Sequence, residues 1–157
     1  MNKKQTNPPS APDDDYGLVR ACRRLHAAID EMDEKTARAL GVSRNDLRCL
    51  NLLENGPVTP KFLVQSLGLT SGSITSLLDR LEAREFIERA PHPEDRRALL
   101  VELRPKAFAE IGAIYRTFGA ALVALAHAYS ARNAEQAVGH LNDVARVCEE
   151  VTQQIGS

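Results

Sequence analysis

The apolar residues of this chain keep a helical spacing over most of its length. Leu18, Cys22, Leu25, Ile29 and Met32 advance by alternating steps of four and three, which stacks them as one stripe on a helix. Gly41 offers a natural end for it, because glycine enters the left-handed conformation without a Cβ clash. Ser43 with Asp46 three residues on reads as an N-cap with a returning carboxylate, a weaker version of the usual Glu or Gln box. Leu47, Leu50 and Leu53 continue as a short helix that Asn55-Gly56-Pro57 stops. Thr59 then caps a helix with Pro60 in its first position; Phe62, Leu63 and Leu67 form its apolar face and Gly68 ends it. Thr70 or Ser71 caps the next one, which gathers Ile74, Leu77, Leu78 and Leu81 on one face. Two helices joined by Leu67-Gly68-Leu69-Thr70, the second polar on its outer face, match a helix-turn-helix.

After Arg84 the period changes. Phe86 to Ala90 reads as a short strand, Pro91-His92-Pro93-Glu94-Asp95 as a loop, and Leu99, Val101 and Leu103 as the alternating side of a half-buried strand. A hairpin placed directly after a helix-turn-helix makes a winged helix-turn-helix. The last third returns to helix. Ile111, Tyr115, Phe118, Leu122, Leu125 and Tyr129 form one stripe, Arg132-Asn133 marks a break, and Ala134, Val138, Leu141, Ala145, Cys148 and Ile155 form a second stripe. Residues 1–15 hold three prolines and no aliphatic cluster, which reads as a disordered tail. The expected fold class is mainly α with an α+β centre: helical segments at 16–41 and 105–157 flanking a winged helix-turn-helix at 43–104.

Composition narrows the chemistry. A chain of 157 residues needs no disulfide or metal to build a core. Aromatics are 4% with no tryptophan, so that core is aliphatic. Cys22, Cys49 and Cys148 are too scattered for a disulfide framework or a CxxC zinc site, and His26, His92, His127 and His140 show no metal-ligand spacing. No Gly-rich phosphate loop, HExxH or GxSxG is present, so neither an enzyme nor a cofactor is expected. The longest strongly apolar run, Ala120 to Ala126, is far short of the ~18 residues of a membrane span. Lys3 and Lys4 lead into no apolar stretch, so no signal peptide is visible and a cytoplasmic setting is expected.

The net charge is −1, but it is unevenly placed. Lys61 to Lys106 carries eight basic and seven acidic residues, a balance of +1, against 0 for residues 1–60 and −2 for residues 107–157. DNA affinity would therefore rest on well-placed arginines rather than on a broad basic field. A helix entering the major groove needs small or polar side chains on its exposed face. Ser71, Ser73, Thr75 and Ser76 supply them, with Arg80 one turn further on. Arginine at a hairpin tip suits a narrow minor groove, where the potential is most negative. Arg96 and Arg97 fall there, with Asp95 placed to pair with Arg97 and His92 placed to meet a phosphate.

The run Ile74 to Glu82, the strand residues Phe86-Ile87-Glu88-Arg89, the wing from Pro91 to Arg97 with its Asp-x-Arg at Asp95 and Arg97, and Leu100 to Leu103 together resemble the MarR family of bacterial transcription regulators. The resemblance implies a homodimer joined by its N- and C-terminal helices and bound to double-stranded DNA at a pseudo-palindromic site. Arg97, with Arg96, would enter the flanking minor groove. Many relatives are repressors released by a small aromatic or phenolic effector. In this architecture the walls of an effector site would be Arg23 and His26, Arg48 and Leu52, and Phe108, Ile111 and Tyr115. A minority of relatives sense oxidants, which would point to Cys22 in the first helix; Cys49 also stands beside Arg48, a neighbour able to lower a thiol pKa.

Two departures stand out. The family favours glycine before the Phe-Ile strand, where this chain has Glu85, and Leu-Thr with a following glycine after the second strand, where it has Leu103-Arg104-Pro105. Glu85 is expected either to adopt the left-handed conformation at some cost or to turn differently, and Pro105 to start the next helix. The near-neutral charge leaves a second reading open, a winged helix that binds protein and has no operator.

Overall fold

A computed structural model describes residues 16–95 and 98–155. The expected tail, and Arg96 and Arg97 at the wing, lie outside the described residues. In chain order the elements are α1 (Gly17–Leu40), α2 (Arg44–Leu53), α3 (Pro60–Leu67), α4 (Ser71–Ala83), β1 (Ile87–Pro91), β2 (Leu99–Leu103), α5 (Pro105–Ala128) and α6 (Ala131–Ile155). The chain divides after Arg104 into two compact units.

Local chemistry sets most boundaries of the first unit. Gly41 ends α1 at φ 64°, with its own N–H on the Arg38 carbonyl and that of Val42 on Ala37. Asp proves sufficient in the α2 box: the Ser43 hydroxyl accepts the Asp46 N–H at 3.1 Å, and the Asp46 carboxylate accepts the Ser43 N–H at 3.0 Å. Thr59 caps α3 through the Phe62 N–H, and Thr70, rather than Ser71, caps α4 through the Ser73 N–H. Glu85 takes the left-handed conformation at φ 61°. It completes a Schellman turn without glycine: its N–H reaches the Glu82 carbonyl and the Phe86 N–H reaches Leu81. Phe86 therefore belongs to the helix end. It is buried there, and the strand starts one residue later than the alternation alone suggests.

The wing is an antiparallel pair in which Ile87 faces Leu103 and Arg89 faces Val101. Val58, from the α2–α3 connection, adds a one-residue bridge to Val101, donating at 3.0 Å and accepting at 2.8 Å. Beneath these elements Leu47, Leu50, Leu53, Leu63, Ile74, Leu77, Leu78, Leu81, Phe86, Ile87 and Val101 are almost wholly buried. Each such side chain contributes about 1.5–3 kcal/mol relative to exposure. This aliphatic core holds α4 in place by one face and leaves the other to solvent.

The second unit is α5 and α6. Pro105 does open α5. The break between the helices falls at Tyr129-Ser130, not at Arg132-Asn133: Ser130 caps α6 by accepting the Asn133 N–H, so Arg132 and Asn133 sit in its first turn. Phe118, Leu122, Val123 and Leu125 of α5 are exposed, and α6 buries none of its residues. By length and composition α5 is apolar enough to cross a membrane, with a mean hydropathy of 1.4 over its best window. Counting an uninterrupted apolar run missed this because glycines, Thr117 and Arg116 break the run without making the helix polar.

Candidate nucleic-acid interface

Helix α4 presents two opposed faces. Ile74, Leu77, Leu78 and Leu81 are buried, whereas Ser71, Gly72, Ser73, Thr75, Ser76, Asp79 and Arg80 are exposed. The Thr75 hydroxyl donates back to the Ser71 carbonyl at 3.0 Å, and those of Thr70 and Ser73 share a bond of 2.9 Å. These bonds orient the hydroxyls, and each oxygen keeps further acceptor capacity. An open groove of about 550 Å³ runs along this face. Thr70, Ser73, Ser76 and Arg80 line one side, and Ser43 with Asn45 at the start of α2 line the other. Sequence reading missed Ser43 and Asn45, since only the fold brings the α2 N-terminus beside α4.

Arg80 is not simply an outward-facing cation. Its guanidinium donates to Asp46 at 2.7 Å, and the Asp46 side chain is only 6% exposed. One carboxylate thus closes the α2 cap and tethers α4. Arg89 of β1 pairs with Asp79 at 2.7 Å and with Glu82, fixing the hairpin to α4. Arg104 pairs with Glu88 at 3.3 Å. Several arginines of the central segment are thereby committed to carboxylates.

At the wing, the His92 N–H donates to the Ala98 carbonyl and the Ala98 N–H to the Asp95 carbonyl. The His92 ring nitrogen Nδ1 accepts the N–H groups of Glu94 and Asp95, both at 3.2 Å. The ring therefore shapes the turn from within. Asp95 is exposed at the tip; its expected pairing with Arg97 lies outside the described residues.

The expected effector residues fall in different places. Arg48 and Leu52 share a groove of about 210 Å³ with Asn51, Ser66 and Leu67. Arg23 and His26 are exposed on α1. In the second unit, Phe108 is exposed, Tyr115 half-buried and Ile111 buried. Cys49 is buried, and desolvation, with the Asp46 charge nearby, pushes its thiol up to about 12. That overturns the expectation that Arg48 lowers it. Cys22 is half-buried and Cys148 exposed. Among the described residues no cluster of three or more His, Cys, Asp or Glu is arranged to hold a metal.

Comparison with known proteins agrees with this geometry. The model of the MarR family matches residues 40–98. The HTH-type transcriptional regulator YcgE of Bacillus subtilis is 28% identical over 138 residues, covering 87% of this chain and 90% of its own. The HTH-type transcriptional repressor NicR of Pseudomonas putida is 28% identical over 120 residues, covering 71% and 75%. Two point mutants of MepR from S. aureus share the fold. One has a TM-score of 0.69 at 16% identity, covering 85% of this chain and 99% of its own. The other, bound to an oligodeoxyribonucleotide, has a TM-score of 0.56 at 17% identity, covering 83% and 97%. These relatives are regulators rather than enzymes, and the motif residues of α4 and the hairpin lie in or directly beside the matched segment. Residues 40–98 of this chain are thus a winged helix-turn-helix that matches the MarR family, and the relatives that extend over the rest of it are transcriptional regulators.

Proposed function

We propose that the protein is a homodimeric repressor that reads a pseudo-palindromic DNA site and leaves it when a small aromatic or phenolic effector binds. The observation that carries this reading is the division of labour on the surface. The polar face of α4 is open, and so are apolar positions of α1 (Leu18, Leu25, Ile29), α5 (Phe118, Leu122, Leu125) and α6 (Leu141, Val151). Exposed apolar surface on this scale marks an interface. A second copy of the chain is the occupant, so residues 16–41 and 105–157 form the dimerisation region and residues 43–104 the DNA-binding domain. The apolar face of α5 then meets protein rather than lipid, in keeping with a cytoplasmic regulator.

In this arrangement Ser71, Ser73, Thr75 and Ser76 meet base edges and phosphates in the major groove, with Arg80 beside them. Arg97, with Arg96 and aligned by Asp95, enters the minor groove. Two half-sites lie about one helical turn, ~34 Å, apart. The DNA-bound MepR mutant and the repressor NicR support the DNA and repressor parts by likeness. For the effector, the support is the groove at Arg48 and Leu52, where a guanidinium beside apolar wall suits an aromatic anion. An effector shifts the population only by its differential affinity for the two recognition-helix spacings. Sedimentation tests the dimer. The wild type is expected to be a dimer at micromolar concentration, and Leu122→Glu a folded monomer with at least about tenfold weaker operator binding. A monomeric wild type, or a variant that stays dimeric and binds normally, overturns the proposal.

A further inference from the structure

Arg84, at the end of α4, is drawn toward α1 rather than toward the groove. Its Nη2 donates to the Leu40 carbonyl at 2.7 Å and its Nη1 to the Gly41 carbonyl. Carbonyls at a helix C-terminus lack intrahelical donors and carry the negative end of the dipole, so a guanidinium is a fitting cap for α1. The guanidinium carbon also lies 5.0 Å from the centre of the Phe86 ring, which is buried and fixes its position. Gly41 supplies the left-handed turn, φ 64°, that ends α1 beside the guanidinium.

A second set of links joins the same two helices through α2. Arg44 donates to the Asp30 carbonyl at 2.6 Å and to its carboxylate at 2.5 Å, tying α2 to α1. Asp46 then receives Arg80 of α4. The second half of the recognition helix is therefore tied to the second half of α1 by two routes, one direct and one through α2.

We infer that Arg84 is a positioning residue that locks α4 to the end of α1 and so sets the spacing at which two recognition helices meet DNA. The inference rests on the proposed dimer, in which α1 is part of the shared helical region. Within it, any rotation of α4 against α1 changes the distance between half-sites. Arg84 acts on spacing because two prongs of its fork hold main-chain oxygens at the end of α1. Lysine keeps the charge but not the two-pronged geometry.

The test measures binding of the full-length wild type, Arg84→Lys and Arg84→Ala to three duplex sets: a single half-site, the full site, and full sites with the central spacer one or two base pairs longer or shorter. The wild type is expected to favour one spacer sharply. Both variants are expected to remain dimers and to bind the single half-site within about twofold of the wild type. On the preferred full site they lose about five- to tenfold, and their preference among spacers flattens. A wild type that is monomeric or indifferent to spacing overturns the dimeric reading together with this inference. A sharp wild-type preference that Arg84→Lys retains overturns the inference alone, as does an equal loss on half-site and full site, which would make Arg84 a DNA contact. If Arg84→Ala fails to fold, Arg84→Lys decides by the same comparison.

Discussion

Replacing Arg80 by alanine should destabilise this protein far more than an exposed arginine normally would. The Arg80 side chain is 56% exposed, but the Asp46 carboxylate that it serves is only 6% exposed. Removing Arg80 leaves a buried negative charge with the Ser43 N–H as its remaining partner in this pair of bonds. A hydrogen bond to a charged group contributes about 1.5–3 kcal/mol, and opening a fully buried pair costs about 3–5 kcal/mol. Because half of Arg80 is already in water, solvent enters the vacated space and screens the carboxylate. The expected loss is therefore about 1–2 kcal/mol, slightly reduced because alanine is the better helix former. Asp46→Asn removes the buried charge, so Arg80→Ala in that background should cost at least about 1 kcal/mol less, the signature of direct coupling. Urea unfolding at one fixed protomer concentration reads both quantities, with an unchanged slope as the control. A loss below about 0.5 kcal/mol for Arg80→Ala, with no coupling to Asp46→Asn, refutes the argument.

Other consequences follow from single residues. Glu85→Gly relieves a left-handed penalty of about 1–2 kcal/mol and loses about 0.5–1 kcal/mol to glycine's chain entropy; a modest rise in melting temperature is expected, and a fall would show that the Glu85 side chain matters more than its backbone. Cys49 should resist a thiol reagent in the native protein while Cys148 reacts, and rapid modification of Cys49 without unfolding would contradict its burial. The folded Cys49 pKa is raised from its ordinary 9.0 to about 12, so its contribution is intact below pH 9 and declines as pH rises toward 12. Against Cys49→Ala, the wild type should therefore lose stability more steeply over that window, by up to about 1.4 kcal/mol per pH unit; equal slopes would refute the shift.

The elements that read clearly in the sequence are those whose ends carry their own chemistry. Gly41, Ser43, Thr59-Pro60 and Gly68 mark helix limits by caps that act within a few residues, and the structure places the ends there. Ser130 is harder to read, because a lone serine between two apolar stripes resembles any solvated position until its bond to the Asn133 N–H is seen. The exposed hydroxyls of α4 were legible because their apolar counterparts repeat every three or four residues. Partners distant in sequence were not. Asp46 with Arg80 and Arg84 with Leu40 meet, and Asn45 comes to line the same groove as Ser73, only after α1, α2 and α4 have packed. Arg80 in particular reads from its position as a DNA contact, and only packing reveals that part of its hydrogen-bonding capacity serves Asp46.

The central claim is that α4 and the wing read a specific duplex. The measurement that tests it most directly is selection of bound sequences from a random duplex pool by the purified protein, with Arg97→Ala in parallel. The account predicts enrichment of a pseudo-palindrome with half-sites about one turn apart. It predicts that the variant remains a folded dimer and binds that sequence at least about tenfold more weakly, a difference of about 1.4 kcal/mol. If a refolded, ligand-stripped dimer enriches no sequence at low salt, the account is contradicted and the reading of the winged helix as a protein-binding module moves ahead.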